Sequence, residues 1–268
     1  MSRALIAKAL KMHGGAIAAY SWGSFLYSVM VVVLFQQFMV QHTSFFQQYL
    51  SIIPKGLLRA FNAGGDLTSF GGFVGTEYLS FIWVVIVVAF VIAFTSGGLA
   101  KELEQGTLEL VLAYPIGRIR FFLSKVAALI IGILVIVGAT LFGLWVGALT
   151  QHLYVSAGSY AAIGALATAF ALAIAGYGFL FSALASERAQ AAGWATALTL
   201  VFYAVNFAAQ NWDQLRGLRP LTIFNYYSPE DAINLGRLDG GAFLVLIGLA
   251  LVTTAAAAGI FRVRDLSS

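Results

Sequence analysis

An all-α integral membrane fold with six transmembrane helices is what this sequence predicts, and three observations predict it. Of its 268 residues, 60% are hydrophobic and only 10% are charged, whereas charged residues make up about a quarter of a water-soluble domain. The mean hydropathy is +0.89, more apolar surface than one aqueous core can hide. Apolar runs near the ~20 residues needed to cross a bilayer occur over Ala16–Val40, Tyr78–Leu99, Phe121–Leu149, Ser159–Leu184, Ala191–Phe207 and Gly241–Phe261. The whole chain, residues 1–268, reads as a single transmembrane domain.

An even number of crossings puts both ends on one side, and basic residues choose the side. With the ends inside, the inner pieces hold Arg3, Lys8, Lys11, Lys101, Arg118, Arg120, Lys125, Arg188, Arg262 and Arg264. The outer pieces keep Lys55, Arg59, Arg216, Arg219 and Arg237. This asymmetry predicts a multi-pass protein of the cell membrane, inner or plasma, with both termini cytoplasmic. The net charge of +4 then reflects orientation and contact with anionic membrane lipid, and no nucleic-acid motif accompanies it. Cysteine is absent, which excludes disulfides, thiolate metal sites and cysteine nucleophiles. The first apolar run is too long for a signal-peptide core, so no cleaved leader is expected.

Along the chain, Leu5, Ile6, Ala9 and Met12 fall on one helical face and Arg3, Lys8 and Lys11 on the other. This predicts an N-terminal interfacial helix, with His13 and Gly14-Gly15 as an elbow before the first span. The outer piece from Gln41 to Glu77 is broken by Pro54 and several glycines, and its aromatic residues suit anchoring at the membrane border. Gly143 and Gly147 in the third span, and Ala161, Ala165, Ala169 and Ala173 in the fourth, make small-residue faces that permit close helix packing. Between Ala208 and Gly240, Leu221–Tyr227 is apolar yet too short to cross. It reads either as a re-entrant element before the sixth span or as an interfacial loop.

No ionisable residue stands away from the ends of the six spans: Glu77, Lys125, Glu187, His13 and His152 sit at or beyond borders. Proton-driven transporters normally carry such groups at mid-membrane. The sequence has no GxxxxGK[ST] phosphate loop, no HExxH and no GxSxG. Nothing therefore points to catalysis, bound metal or cofactor within this chain, and the three histidines read as wetted border residues.

The densest signal lies between the second and third spans. Gly106 can end the descending helix, and Thr107 is a favourable N-cap for a short helix from Leu108 with Glu109 in its first turn. Pro115 stops it. At 1.5 Å per residue the Leu108–Tyr114 helix is about 10 Å long and apolar on nearly every side, through Leu108, Leu110, Val111, Leu112 and Tyr114. An exposed apolar helix needs a surface to lie against, either a partner's groove or the bundle's own inner face. Acids precede it (Glu102, Glu104, Glu109) and bases follow it (Arg118, Arg120, Lys125), an order that would orient a partner.

The run Glu102-x-Glu104-Gln-Gly-Thr-Leu-Glu-Leu-Val-Leu-Ala-Tyr-Pro-Ile-Gly-Arg118 resembles the cytoplasmic motif E-x-E-x-G-T-L-E-x-L-L-x-x-P-[IV]-x-R of ABC-2 type transporter permeases. Glu104, Gly106, Thr107, Leu108, Glu109, Leu112, Pro115 and Arg118 match it, while Leu103 stands where the family commonly has a basic residue. The six spans and the Tyr226-Tyr-Ser-Pro229 stretch are also similar to that family. The resemblance implies a permease subunit of an ATP-driven exporter, dimerised with a second permease chain for which an identical copy is the expectation. Whether the two permease chains are identical or merely related stays open, and the resemblance implies two copies of a separate ABC ATPase subunit, which would hold ATP and Mg, docked on a coupling helix. Glu102, Glu104, Gly106, Thr107, Leu108, Glu109, Leu112, Tyr114, Pro115 and Arg118 are the expected docking and coupling residues. The competing expectation is a membrane scaffold that recruits a soluble partner and transports nothing.

Overall fold

The computed structural model describes residues 3–37, 69–104 and 117–264. Among them no strand occurs, because in hydrocarbon each backbone N–H and C=O must find its partner within its own segment, and a helix provides it. Six helices are long and apolar enough to cross a membrane: α1 (Arg3–Phe35), α2 (Phe70–Glu102), α3 (Arg118–Thr150), α4 (Ala157–Leu184), α5 (Arg188–Asn211) and α7 (Gly240–Val263). A short helix, α6 (Pro229–Leu235), precedes the last. Their caps are local: the Ser69 side chain accepts from Gly72 N–H, Ser156 from Ser159 N–H, and Asp239 from Gly241 and Ala242 N–H.

The N-terminus differs from the expectation of a separate interfacial helix with an elbow. Helix α1 runs unbroken through His13, Gly14 and Gly15. Ala9 is buried, and Leu5, Ile6 and Leu10 pack on the core, so the apolar face assigned to the membrane border is held by protein. Two glycines cost a helix about 1 kcal/mol each, less than exposing unpaired backbone where water is scarce. His13 is half-buried, its ring 4.2 Å from that of Phe94, rather than wetted. His152 is exposed as expected.

Helix α2 begins at Phe70, before the apolar run that predicts it, and changes its winding. An α-turn (Phe70–Phe73) leads into a π-helical stretch (Val74–Ile82), then a regular α-helix (Trp83–Gly98), and after a turn at Leu99 the chain continues helical over Ala100–Glu104. The wide turns are met by the segment before α7. The Tyr227 hydroxyl donates to the Leu79 carbonyl at 3.2 Å, and Tyr227 stacks on Phe170 of α4 at 4.3 Å. A Cβ on Gly75 would lie 2.9 Å from Glu230 Cα, so only glycine admits α6 at this distance.

Two tight 3-10 stretches, Asp213–Leu221 and Ile223–Tyr226, carry the chain from α5 to α6. Ile223, Phe224, Tyr227, Pro229, Ala232 and Ile233 are buried, so the segment read as re-entrant or interfacial folds back onto the bundle between α2 and α4.

Small residues pair the helices, though not in one common interface. Helix α3 packs on α1, where a Cβ on Gly143 would lie 2.6 Å from the Phe25 carbonyl oxygen and one on Gly147 2.8 Å from Val32 Cβ. Helix α4 is the central post, with Ala169 and Ala173 fully buried and Ala161 facing outward. Its close approach to α7 is made by Gly176, whose Cβ would meet Thr253 Oγ1 at 2.1 Å. Interhelical hydrogen bonds add to this packing: Trp83 Nε1 donates to Thr140 Oγ1, and the Tyr78 hydroxyl to the Ser24 carbonyl, both at 3.0 Å.

Candidate functional site

The start of α1, the end of α2, the starts of α3 and α5, and the ends of α4 and α7 meet at one end of the bundle. There Glu102 forms an ion pair with Lys125 of α3, Oε1 to Nζ at 2.5 Å. Lys125 is only 6% exposed and lies 5.3 Å from the Phe121 ring centroid. Two residues on, a Glu104 carboxylate oxygen accepts from the backbone N–H of Arg188 at 2.9 Å, placing an anion at the positive N-terminus of α5. The end of α2 is thus tied to both α3 and α5.

Arg118, at the start of α3, reaches the other way. Its guanidinium donates to the Arg264 carbonyl at 2.5 Å and to the Arg262 carbonyl at 3.5 Å, at the end of α7. Arg264 in turn donates to the carbonyls of Ala183 and Ala185 at 2.5 and 2.8 Å, and to Ser186 Oγ at 3.2 Å. Each guanidinium sits on carbonyls that a helix end leaves unpaired, where the macrodipole also favours a cation. Desolvation lowers the Arg264 pKa from its ordinary value, yet an arginine remains charged.

Of the ten residues the sequence singles out, Glu102, Glu104 and Arg118 are therefore brought to one end of the bundle. Gly106, Thr107, Leu108, Glu109, Leu112, Tyr114 and Pro115, with the short helix they predict, lie outside the described residues, as does Pro54. Two features of the structure were missed by the sequence reading. Arg264 gave no sequence signal, because a helix-end carbonyl partner on another helix leaves no spacing pattern. The second is a groove of about 570 Å³ between α2 and α5.

That groove runs from Ser80 and Phe81 in the π-helical stretch, past Val84, Val88 and Ile92, to Ser96. The sixteen steps from Ser80 to Ser96, at about 1.5 Å each, make it about 24 Å long, most of the ~30 Å hydrocarbon depth. Thr196, Leu200 and Tyr203 of α5 form the facing wall, Phe224 closes one end, and Arg188 stands at the other. The lining is mostly apolar with a few hydroxyls, and its volume falls in the range of small-molecule sites.

The family model described as ABC-2 family transporter protein matches residues 16–266. The chain belongs to the ABC-2 transporter family. No curated protein matches it closely enough to narrow that assignment. As an ABC-2 permease it is a multi-pass membrane component of a transporter, a family that works with an ABC ATPase and is not itself catalytic. The six membrane-length helices agree with that membership, and the match spans both the groove and the ion-paired end of α2.

Proposed function

We propose that this ABC-2 permease is the membrane half of an ATP-driven exporter, in which two copies of the chain frame the pathway and two ABC ATPases dock beneath them. ATP and Mg would be held by the ATPases. Both termini would then face the cytoplasm, at the plasma or inner membrane, as the distribution of basic residues favours. The observation that carries the reading is that both flanks of residues 105–116 are tied into the bundle. Glu104 joins one flank to α5 and Arg118 joins the other to α7. A push on the segment between them is delivered to α2 and α5, the two walls of the groove.

The surface of α5 supports a second copy. It is the least apolar of the six spans, yet only 22% of its most apolar stretch is buried by its own chain. Gly193, Ala197 and Ala204 lie on its exposed face, and small residues there let another helix approach closely. Cargo would be apolar or amphipathic, in keeping with the groove lining.

Mild-detergent extraction of the tagged protein from its native membrane is expected to bring a stoichiometric ABC ATPase with it. A folded permease that comes out alone would favour the scaffold reading. For the pathway, Thr196→Trp, placed on an exposed groove residue, is expected to abolish cargo-stimulated ATP hydrolysis in liposomes while leaving the ATPase bound. Undiminished stimulation would remove the groove from the pathway.

A further inference from the structure

A second cavity, of about 260 Å³, opens among α1, α2, α3 and the start of α5, apart from the α2–α5 groove. Lys8, Lys101, Lys125 and Arg188 line it together with His13, against one carboxylate, Glu102. That carboxylate is engaged by Lys125. Among the described residues no acidic side chain forms an ion pair with Lys8, Lys101 or Arg188, and the His13 ring lines the same cavity as these cations. Glu104 is exposed and meets Arg188 through its backbone only.

Like charges gathered around one cavity repel until an anion enters it. Apart from Ser124 the rest of the wall is apolar, through residues such as Leu5, Met12 and Phe121, and Met12 is 62% exposed at the rim. The cavity is smaller than a drug-sized site and stands at the helix ends, where the membrane surface lies. Basic pockets between membrane helices at that level hold anionic head groups. A head group would enter the cavity while its acyl chains stay in the bilayer beside α1.

We propose that this cavity is a binding site for a phosphate-bearing anion, supplied by an anionic phospholipid head group or by free phosphate. The site borders the Glu102–Lys125 pair that fastens the end of α2 to α3, so an occupant would stiffen that junction. Binding itself requires no ATPase, and its test stands apart from the exporter reading.

The test is native mass spectrometry of the delipidated protein in neutral detergent, titrated with phosphatidylglycerol, phosphatidylcholine or inorganic phosphate. Lys8→Gln, Lys101→Gln, Arg188→Gln and the Lys101→Gln/Arg188→Gln pair are compared with Arg216→Gln. Arg216 pairs with exposed Asp213 in the segment after α5. Phosphatidylglycerol is expected to bind in preference to phosphatidylcholine, roughly fivefold more weakly for each charge removed and about thirtyfold for the pair. Arg216→Gln is expected to bind as the parent does. Competition by inorganic phosphate would identify the phosphate group alone as sufficient, whereas charge-dependent lipid binding that phosphate does not displace would identify the lipid as the source. Equal binding of both lipids, or undiminished phosphatidylglycerol binding by the paired variant with an unchanged melting temperature, would overturn the proposal. Lys8 is exposed, so Lys8→Gln supplies the answer if the pair does not fold.

Discussion

Glu102→Ala is expected to destabilise the protein by about 3 kcal/mol or more, the largest effect of any single side-chain truncation at the ion-paired end of the bundle. The side chains of Lys125 and Glu102 are only 8% and 16% exposed, so solvent screens their attraction little. Removing the carboxylate leaves Lys125 in a buried position among Lys8, Lys101 and Arg188. The Phe121 ring, 5.3 Å from the ammonium, offsets about 2 kcal/mol at most. Replacing both partners by apolar residues, as in Glu102→Leu/Lys125→Met, is expected to recover much of the loss, because the buried Lys125 charge is then removed together with its partner. Thermal unfolding in detergent measures both, and a Glu102→Ala protein that melts with the parent would show the pair to be dispensable.

Leu112→Asp is expected to disconnect ATP hydrolysis from transport. Leu112 belongs to the apolar run that the sequence places between Thr107 and Pro115. If that run docks in a groove of the ATPase, an aspartate at its centre acts on a hot-spot position. A loss of about 2 kcal/mol, roughly thirtyfold in affinity, is the expected scale. Glu109→Ala removes the carboxylate that the sequence places in the first turn of the expected helix, and is expected to act in the same direction more weakly. Both residues lie outside the described ones, and an unchanged melting temperature in detergent is the control that separates lost coupling from lost folding. Reconstituted transport measured beside ATPase co-purification is the readout. Full transport in both variants would deny the segment a coupling role.

Much of this protein was legible in the sequence because hydrocarbon imposes a single strong rule: span in helices of about twenty apolar residues. The six spans, the small-residue faces at Gly143 and Gly147, and the resemblance carried by Glu104 and Arg118 all follow from spacing along one chain. The straight passage of α1 through Gly14 and Gly15 was not legible. It depends on what packs against Leu5, Ala9 and Leu10, and a pattern of charges predicts a helix at a water border equally well.

Composition and periodicity by themselves determined a six-span helical membrane protein, and one motif gave its family. Tertiary structure alone decided which helix each face meets, the π-helical winding of Val74–Ile82 under Tyr227, and the apolar groove between α2 and α5. It also decided the partners of the motif's charges, with Glu102 on Lys125, Glu104 on the start of α5 and Arg118 on the end of α7. The physical reason is that a helix's apolar character is written in its own residues. The partner of a buried charge or a vacant carbonyl belongs to whichever distant segment the packing brings within hydrogen-bonding distance.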